Sequence, residues 1–589
     1  HSRVRPPHQE RRSVHQPQRE RQGRAHGHLR GNLPDPFRAG GPDLVRVGTG
    51  AAPGTFAGLC LIGLTAAGGW DDVLAQAEAE GQETAGQAGN VLRQTAYIKS
   101  SNPGFGNEFG GGGTLLGNAV ALSGDGATLA IGAPYESSGS SGIGGDRDDE
   151  SVYGAGAVYV YVSNAGTWRE QAYVKASNPG LTDNFGYMIA LSGDGDTMAV
   201  AAPYEASAAT GIDGDQSDDS IPQAGAVYVF GRSGETWAQQ AYIKASNTGE
   251  PGVGDELGDG DQFGFGLALS ADGNTLAVGA ISEDSAGTGV GADQSDNSAL
   301  SAGAVYVYSR TGDAWEQQAY IKTSNAGGGD LFGYSVALSA DGSVLAATAY
   351  DEDGSLAGTN EFQDDEVFGT GALYIFFRDG DTWTQQAYLK PSNSERNDAF
   401  GVAVVISADG DTVAGTALDE DGMTTGVNST PQPDMEINLS TGAVYLFTRD
   451  GDGWSEQAYF KASNTGANDT FGARLALSGD GGTLAVGAQL EDSAGQGIDA
   501  VQDDDSAQEA GAVYLFSRDG SSWTQSAYVK GSNTEAFDEF GSSLALNGDG
   551  TLMAVGARGE DSGATGIDAE QDDNSAFESG AVYLFSRAP

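Results

Sequence analysis

The strongest constraint on the fold is a unit of about 70 residues that occurs seven times between residues 94 and 589. Each copy contains a Phe-Gly pair, a Gly-Ala-(Val/Leu)-Tyr segment and an Ala-Tyr-x-Lys segment. The Phe-Gly pairs begin at positions 109, 185, 263, 332, 400, 471 and 540. Such a unit buries its apolar faces only against its neighbours, so the sequence predicts a repeat architecture for most of the chain.

Each copy has the pattern of four β-strands joined by tight turns and one long acidic loop. In the third copy we expect strands at Phe265–Ser270, Thr275–Ala280, Gly303–Arg310 and Trp315–Lys322. The Asp-Gly pair between the first two strands is typical of a short hairpin. The third strand is apolar on both faces, as expected for a sheet that has neighbours on both sides.

The fold class follows from the number and content of the units. Seven four-stranded antiparallel units predict an all-β, seven-bladed β-propeller, and an open solenoid is the alternative. An Ala-Tyr-x-Lys segment precedes the first Phe-Gly pair, and none follows the last copy. We therefore expect Gln94–Lys99 to pair with Ala581–Phe585, which closes the ring and removes an exposed sheet edge.

The residues before the repeats differ in composition and divide into three segments. Residues 1–50 carry ten Arg and four acidic residues and are predicted to be a disordered basic segment. The apolar segment 51–70 resembles part of a secretory signal peptide, with a buried helix as the alternative and a lipid anchor as a weaker one. Residues 71–93 are interpreted as a linker, and residues 94–589 as the propeller. This order favours a secreted or cell-surface protein.

Charge and scarce residue types exclude several functions. The formal net charge of −53 argues against nucleic-acid binding. All five His lie within the first 28 residues, and the only Cys is Cys60. The repeats therefore hold no Ser-His-Asp triad, Cys-His pair, His/Cys zinc site or disulfide. We expect a monomer with a protein or glycan ligand, and membrane contact only through an N-terminal anchor.

The repeats resemble the FG-GAP family, whose members include integrin α-chain propellers and many bacterial extracellular proteins. The resemblance is carried by the Phe-Gly opening and by the second strand, which ends as Ile131–Pro134 in the first copy. It implies a calcium-containing propeller used for adhesion or ligand binding outside the cell. One departure is clear: the connection between strands one and two holds a single Asp, such as Asp272, instead of a full calcium loop.

Two sets of acidic residues are candidates for binding. The first set precedes the Phe-Gly pairs and is interpreted either as turn caps or as a ring of ligand-binding carboxylates at the channel mouth: Asp183, Asp261, Asp330, Asp398, Asp469 and Asp538. The second set lies in the long loops and is interpreted as solvated surface, as calcium loops or as a ligand surface: Asp296, Asn297, Asp503, Asp504, Asp505, Asp572 and Asp573.

Each Lys of Ala-Tyr-x-Lys is predicted to pair with an acid on the next blade or to lie at a solvated outer edge. The chain as a whole is interpreted as a binding or adhesion protein, calcium-dependent in one version, and not as an enzyme. The alternatives are a carbohydrate-active enzyme that uses carboxylates or Tyr, and a structural surface protein. For the enzyme, the most divergent loop, Asp419 to Ser440, contains Asp434 and Glu436 but no aromatic residue.

Overall fold

The computed structural model describes residues 91–112, 117–249, 260–354, 358–359, 367–431, 439–451 and 453–587. These residues belong to one compact unit within Leu74–Pro589. The predicted basic segment 1–50, the signal-peptide-like segment 51–70 and the linker up to residue 90 lie outside the described residues, as do Asp434 and Glu436. In the described part of the chain, no helix has the length and apolarity needed to span a membrane.

The prediction of a seven-bladed, all-β propeller is confirmed: the described residues form seven antiparallel sheets. Blade 1 contains β2 Val120–Leu122, β3 Thr128–Ala133, β4 Ala157–Asn164 and β5 Thr167–Val174. Blade 2 contains β6 Met188–Leu191, β7 Thr197–Ala202, β8 Ala226–Ser233 and β9 Thr236–Ile243. Blade 3 contains β10 Phe263–Leu269, β11 Thr275–Ala280, β12 Ala304–Thr311 and β13 Ala314–Ile321. Blade 4 contains β14 Phe332–Leu338, β15 Val344–Ala349, β16 Gly358–Thr359, β17 Ala372–Asp379 and β18 Thr382–Lys390. Blade 5 contains β19 Phe400–Ile406, β20 Thr412–Ala417, β21 Ala443–Asp450 and β22 Gly453–Phe460. Blade 6 contains β23 Arg474–Leu477, β24 Thr483–Ala488, β25 Ala512–Asp519 and β26 Ser522–Val529. Blade 7 contains β27 Phe540–Leu546, β28 Leu552–Ala557, β29 Gly566–Ile567, β30 Ala581–Arg587 and β1 Leu92–Lys99.

The N-terminal strand closes the ring, as the sequence predicts. Strand β1 is antiparallel to β30, with Tyr97 opposite Tyr583 and Ile98 opposite Val582. It begins at Leu92, two residues before the expected start. The first and last described strands therefore complete one sheet, and the seventh blade has the same four main strands as the others.

The apolar cores lie between neighbouring blades. Val158 of blade 1 and Val200 and Tyr228 of blade 2 belong to one buried cluster. Third strands such as β8 are buried for their first five residues because a blade packs on each of their faces. Most of the strand-four Trp side chains, for example Trp383, are buried in these same clusters, as expected for packing near the rim.

The strand-one hairpins form a closed ring of backbone hydrogen bonds at one end of the central channel. Gly193 N–H donates to Ala271 O at 2.8 Å, and corresponding bonds link all seven blades with N···O distances of 2.8–3.1 Å, the donor in blade 1 being the N–H of Asp125. The ring passes through Gly124, Gly193, Ala271, Ala340, Ala408, Gly479 and Gly548. Because only Gly or Ala occupies these positions, the seven turns approach closely enough to tie the blades together.

Antiparallel strands place the connections on two faces. The hairpins between strands one and two and between strands three and four emerge on one end, which we call the hairpin face. The long loop between strands two and three and the connection to the next blade emerge on the other end, which we call the loop face. Length variation and acidic clusters therefore lie on the loop face.

Candidate functional site

The repeated Lys lies in a buried ion pair within its own blade. Lys244 Nζ is 2.7 Å from Glu205 Oε2, and both side chains are almost fully buried. Tyr242 Oη and Asn178 Nδ2 donate to Glu205 Oε1, each at 2.9 Å. The expectation of a pair with the next blade or a solvated edge is therefore wrong, because the acid follows strand two of the same copy. The seven pairs are Lys99–Glu560, Lys175–Glu136, Lys244–Glu205, Lys322–Glu283, Lys390–Glu352, Lys461–Glu420 and Lys530–Glu491.

The carboxylates before the Phe-Gly pairs lie beside these ion pairs. They are buried rather than facing open solvent at a channel mouth: Asp183, Asp261, Asp330, Asp398, Asp469 and Asp538. Asp183 Oδ2 accepts the N–H of Gly180 at 2.7 Å, and Asp538 Oδ2 accepts that of Glu535 at 2.8 Å. This is the geometry of the turn-cap interpretation. Burial, followed by the nearby Glu205, raises the pKa of Asp183 to about 7.

The long loops fold back over the outer edge of each blade. Their Gly-Ile or Gly-Val pair bridges to strand four, as in Val290 opposite Ile321 and Ile567 opposite Ile98. Ser285 Oγ donates to Asp293 O at 2.6 Å and fixes the loop internally. The recurring Gly-Ile or Gly-Val pair of these loops therefore covers the edge strand, which is otherwise open to pairing with another chain.

The candidate calcium residues lie at the tips of these loops with their side chains exposed: Asp296, Asn297, Asp503, Asp504, Asp505, Asp572 and Asp573. Among the described residues, no three His, Cys, Asp or Glu side chains are grouped so that they could hold a metal ion. In the strand-one hairpins, Asp272 Oδ1 instead accepts the hydroxyl of Ser270 at 2.5 Å and the N–H of Asn274 at 3.0 Å. A lone, turn-capping carboxylate does not fit the six to eight oxygens of the family's calcium loop.

A second recurring feature of the loop face was missed in the sequence. The residue three positions before each Gly-Ala-(Val/Leu)-Tyr segment lies at a blade junction, in a tight turn in every copy except the fifth. We call these positions the junction turns: Tyr153, Pro222, Leu300, Phe368, Leu439, Gln508 and Phe577. Tyr153 is 60% exposed and Phe368 is 57% exposed. The carbonyl of Tyr153 accepts the N–H of Thr182, so the connection to the next blade fixes the turn. Alignment of the seven copies would have revealed this apolar position.

The loop-face end of the channel carries side chains that do not repeat. The rings of Tyr204, Tyr187, Phe265, Tyr334 and Tyr350 form a row across blades 2 to 4, with successive centroids 4.7–6.2 Å apart. On the opposite side of the ring, Arg558 makes two hydrogen bonds to Glu539 at 2.6 and 2.8 Å. This end of the channel is therefore asymmetric in both shape and charge.

Comparison with known proteins identifies the repeat. The FG-GAP repeat model matches residues 168–230, 315–376, 454–516 and 523–585. The chain contains FG-GAP repeats. Each matched segment of the FG-GAP protein runs from strand four of one blade to strand three of the next. The family repeat is therefore offset by one strand from the blade.

Structural similarity to solved propellers is distant. The periplasmic gluconolactonase of Pseudomonas aeruginosa is 16% identical, with 71% of this chain and 86% of that chain covered and a TM-score of 0.38. The Cps50 (Swd1) β-propeller domain of Myceliophteria thermophila is 10% identical, with 78% and 98% covered and a TM-score of 0.40. No curated protein matches the FG-GAP chain.

Proposed function

We propose that this FG-GAP protein is an exported binding protein, secreted or held at the cell surface, whose loop face docks a polypeptide ligand. The observation that carries the proposal is the set of exposed apolar side chains in the junction turns. Exposed aromatic side chains on rigid turns lose little conformational freedom on binding, and they are the usual anchors of protein interfaces. Their recurrence at adjacent blade junctions provides a row of such anchors on one face.

The charge around the junction turns indicates which side chains a ligand should carry. The exposed acidic clusters precede the turns in the same loops, as Asp296 precedes Leu300 and Asp573 precedes Phe577. An apolar row bordered by carboxylates favours a polypeptide that carries both apolar and basic side chains. Calcium dependence is a further part of the proposal, since divalent cations that gather around these exposed acidic loops would relieve their mutual repulsion.

The repeated charged groups favour binding over catalysis because they are buried and hydrogen-bonded. The repeated Lys, Glu and Asp are buried and committed to hydrogen bonds within their blades, as in the Lys244–Glu205 pair. Such groups stabilise the scaffold. The exposed apolar side chains of the junction turns are available to a ligand, because they do not belong to the cores of the blades.

The test uses substitutions that the chain already tolerates. Gln508 occupies the junction position of blade 6, so Leu300→Gln and Phe368→Gln should fold. Val91→Gln is the matched control, since Val91 is 48% exposed and lies at the hairpin-face end of β1. We expect the wild type and V91Q to bind members of a peptide array that combine basic and apolar residues, with the double junction variant at least tenfold weaker. Unchanged binding by the double variant, or binding confined to a glycan array, would refute the proposal.

A further inference from the structure

The loop face of blade 6 contains a cavity of ≈360 Å³. It lies between the connection that enters blade 6, residues 464–469, and the long loop that follows strand β24. That volume corresponds to about twelve water molecules at roughly 30 Å³ each. The cavity therefore has room for the end of a long side chain or for a small molecule, but not for a folded segment.

The walls of this cavity are acidic. Five of its lining residues carry carboxylates: Asp469, Glu491, Asp492, Asp503 and Asp505. Lys530 Nζ lies 2.8 Å from Glu491 Oε2 and neutralises that one carboxylate. No basic side chain lines the cavity, and among the described residues the other four carboxylates form no ion pair. The cavity therefore holds a surplus of negative charge that the protein itself does not balance.

One of these carboxylates is buried, and the fold uses only one of its two oxygens. Asp469 is 6% exposed, and its Oδ2 accepts the N–H of Gly466 at 2.8 Å, which caps the turn. Its Oδ1 accepts no hydrogen bond from the described residues, and the side chain lines the cavity. Burial, followed by the nearby charge of Glu491, raises the pKa of Asp469 to about 7. A buried carboxylate oxygen without a donor is costly, and a cationic group in the cavity would supply that donor.

The arrangement suits an organic cation better than a metal ion. Within the described part of the chain, no three His, Cys, Asp or Glu side chains are grouped closely enough to hold a metal ion. The carboxylates are instead distributed around a cavity of several water volumes. An ammonium group carries three N–H donors and a guanidinium group carries five, so either can reach separate acceptors on different walls.

The cavity lies between two of the junction turns. The N–H of Asn468, next to the buried carboxylate, donates to the carbonyl of Leu439 at 2.6 Å at the junction of blade 5. On the other side, Asp492 Oδ1 accepts the N–H of Glu509 at 2.8 Å in the turn of blade 6. A polypeptide that lies across these turns therefore has the cavity within reach of its side chains.

We propose that this cavity binds a Lys or Arg side chain of the polypeptide ligand, whose cationic group donates a hydrogen bond to Asp469 Oδ1. Hydrogen bonds between ionised groups are shorter and stronger than neutral ones, and the surrounding carboxylates add to the attraction. The inference rests on the proposed function for the source of the cation, whereas the cavity itself recognises only the cationic group. It assigns the basic part of the ligand to blade 6 and leaves the apolar part to the junction turns.

The experiment separates the cationic group from the polypeptide that carries it. Nα-acetyl-lysine amide and Nα-acetyl-arginine amide are titrated into the full chain by ligand-observed NMR, with Nα-acetyl-norleucine amide as the uncharged counterpart. Asp469→Asn introduces the residue that occupies the equivalent position in blade 1, Asn107, so it should fold. Asp504→Asn is the matched control, because Asp504 is exposed in the same loop and does not line the cavity. We expect at least one cationic amide to bind the wild type and D504N, at least fivefold weaker binding to D469N, and no binding of the norleucine amide.

The pH dependence of binding supplies a second readout. The charged groups that act on Asp469 are Glu491 with its partner Lys530, Asp492 and Asp505. With a pKa of about 7, the ionised fraction of Asp469 rises from about one tenth at pH 6 to about nine tenths at pH 8, while the Lys and Arg amides stay cationic. The affinity of the wild type should therefore rise by up to about tenfold over this range, and D469N should lose that rise.

Several results would overturn the inference while the junction turns still bind peptides. They are the failure of both cationic amides to bind, equal binding of the norleucine amide, and equal weakening by D504N and D469N. Amide binding by a protein that binds no peptide of the array would overturn the polypeptide as the source of the cation. In contrast, loss of peptide binding on Leu300→Gln and Phe368→Gln without loss of amide binding is expected, because neither residue lines the cavity.

Discussion

Replacing Asp538 by Asn should stabilise the propeller at alkaline pH. Asp538 is 6% exposed and lies beside the buried Lys99–Glu560 pair of blade 7. Burial, with a further contribution from the negative charge of Glu560, raises the pKa of Asp538 from 3.8 to about 8. The chain itself shows that the substitution is tolerated, because Asn107 occupies the equivalent position in blade 1 and is also buried.

The sign and size of the effect follow from proton linkage. A folded-state pKa above the unfolded value means that the folded state holds the proton more tightly, so stability is lost as pH rises from about 4 to about 8. Each pH unit between the two pKa values corresponds to about 1.4 kcal/mol, which gives an upper limit of about 5 kcal/mol at pH 8. Local relaxation and water penetration reduce such penalties, so we expect Asp538→Asn to gain about 1–2 kcal/mol at pH 8 and less at pH 5.

The assay is chemical unfolding of the wild type and D538N at several pH values, followed by tryptophan fluorescence. The reciprocal variant Asn107→Asp is the matched comparison and should lose stability as pH rises over the same range. The amide retains the oxygen that accepts the N–H of Glu535, so the cap itself is preserved. A D538N protein that is less stable than the wild type at pH 8, or equally stabilised at pH 5 and pH 8, would refute the argument.

Four further predictions concern the scaffold and its export. Lys244→Met should cost about 3–5 kcal/mol in unfolding free energy, because it leaves the Glu205 carboxylate buried without its cation. Adding Glu205→Gln should restore part of this loss; no recovery in the double variant would contradict the pairing argument. Deletion of residues 91–99 should lower the melting temperature markedly and promote association through the exposed edge of β30, whereas deletion of residues 1–90 should not. Ca²⁺ should raise the melting temperature more than Mg²⁺ at equal ionic strength. Equal effects of the two ions would mean that calcium acts only by screening the surface charge. N-terminal sequencing of exported protein should give a start near residue 70, and a start near His1 would refute the interpretation of residues 51–70 as part of a cleaved signal peptide.

The blades and their closure could be predicted because each packing requirement appears seven times in the sequence. The partner of the repeated Lys was assigned to the wrong blade although a signal was present. Glu136 and Glu205 each precede their Lys by 39 residues, and the separation is 38–41 residues in blades 3 to 6. A fixed separation within one copy indicates a contact within one blade. The inference failed because a buried Lys–Glu pair is rarer than a solvated one.

The long loops illustrate how strand pairing can persist when sequence similarity fades. Copies four and five have Gly354 and Gly422 where the other copies have Ser, and copy four also lacks the Gly-Ile or Gly-Val pair. Nevertheless Gly358 pairs with Lys390, and Val427 bridges to Phe460, so both loops return to the edge of strand four. Backbone hydrogen bonds make this contact, and they place little demand on the side chains.

The side chains at the channel mouth and in the junction turns do not follow from the strand pattern in the same way. Arg474 and Gly117 are 357 positions apart and become neighbours only when seven blades form a ring. The row from Tyr204 to Tyr350 likewise depends on the angle between successive blades. Exposed residues such as Tyr153 and Phe368 follow no hydrophobic periodicity, because they do not belong to a core.

The acidic loops set the salt dependence expected at the junction turns. They attract a basic polypeptide, so that interaction should weaken as salt screens the surface. The repeated Lys and Glu form buried pairs, which salt screens much less, so they do not contribute to this response. Measuring the affinity in a salt series therefore reports on the exposed charges of the loop face without any substitution.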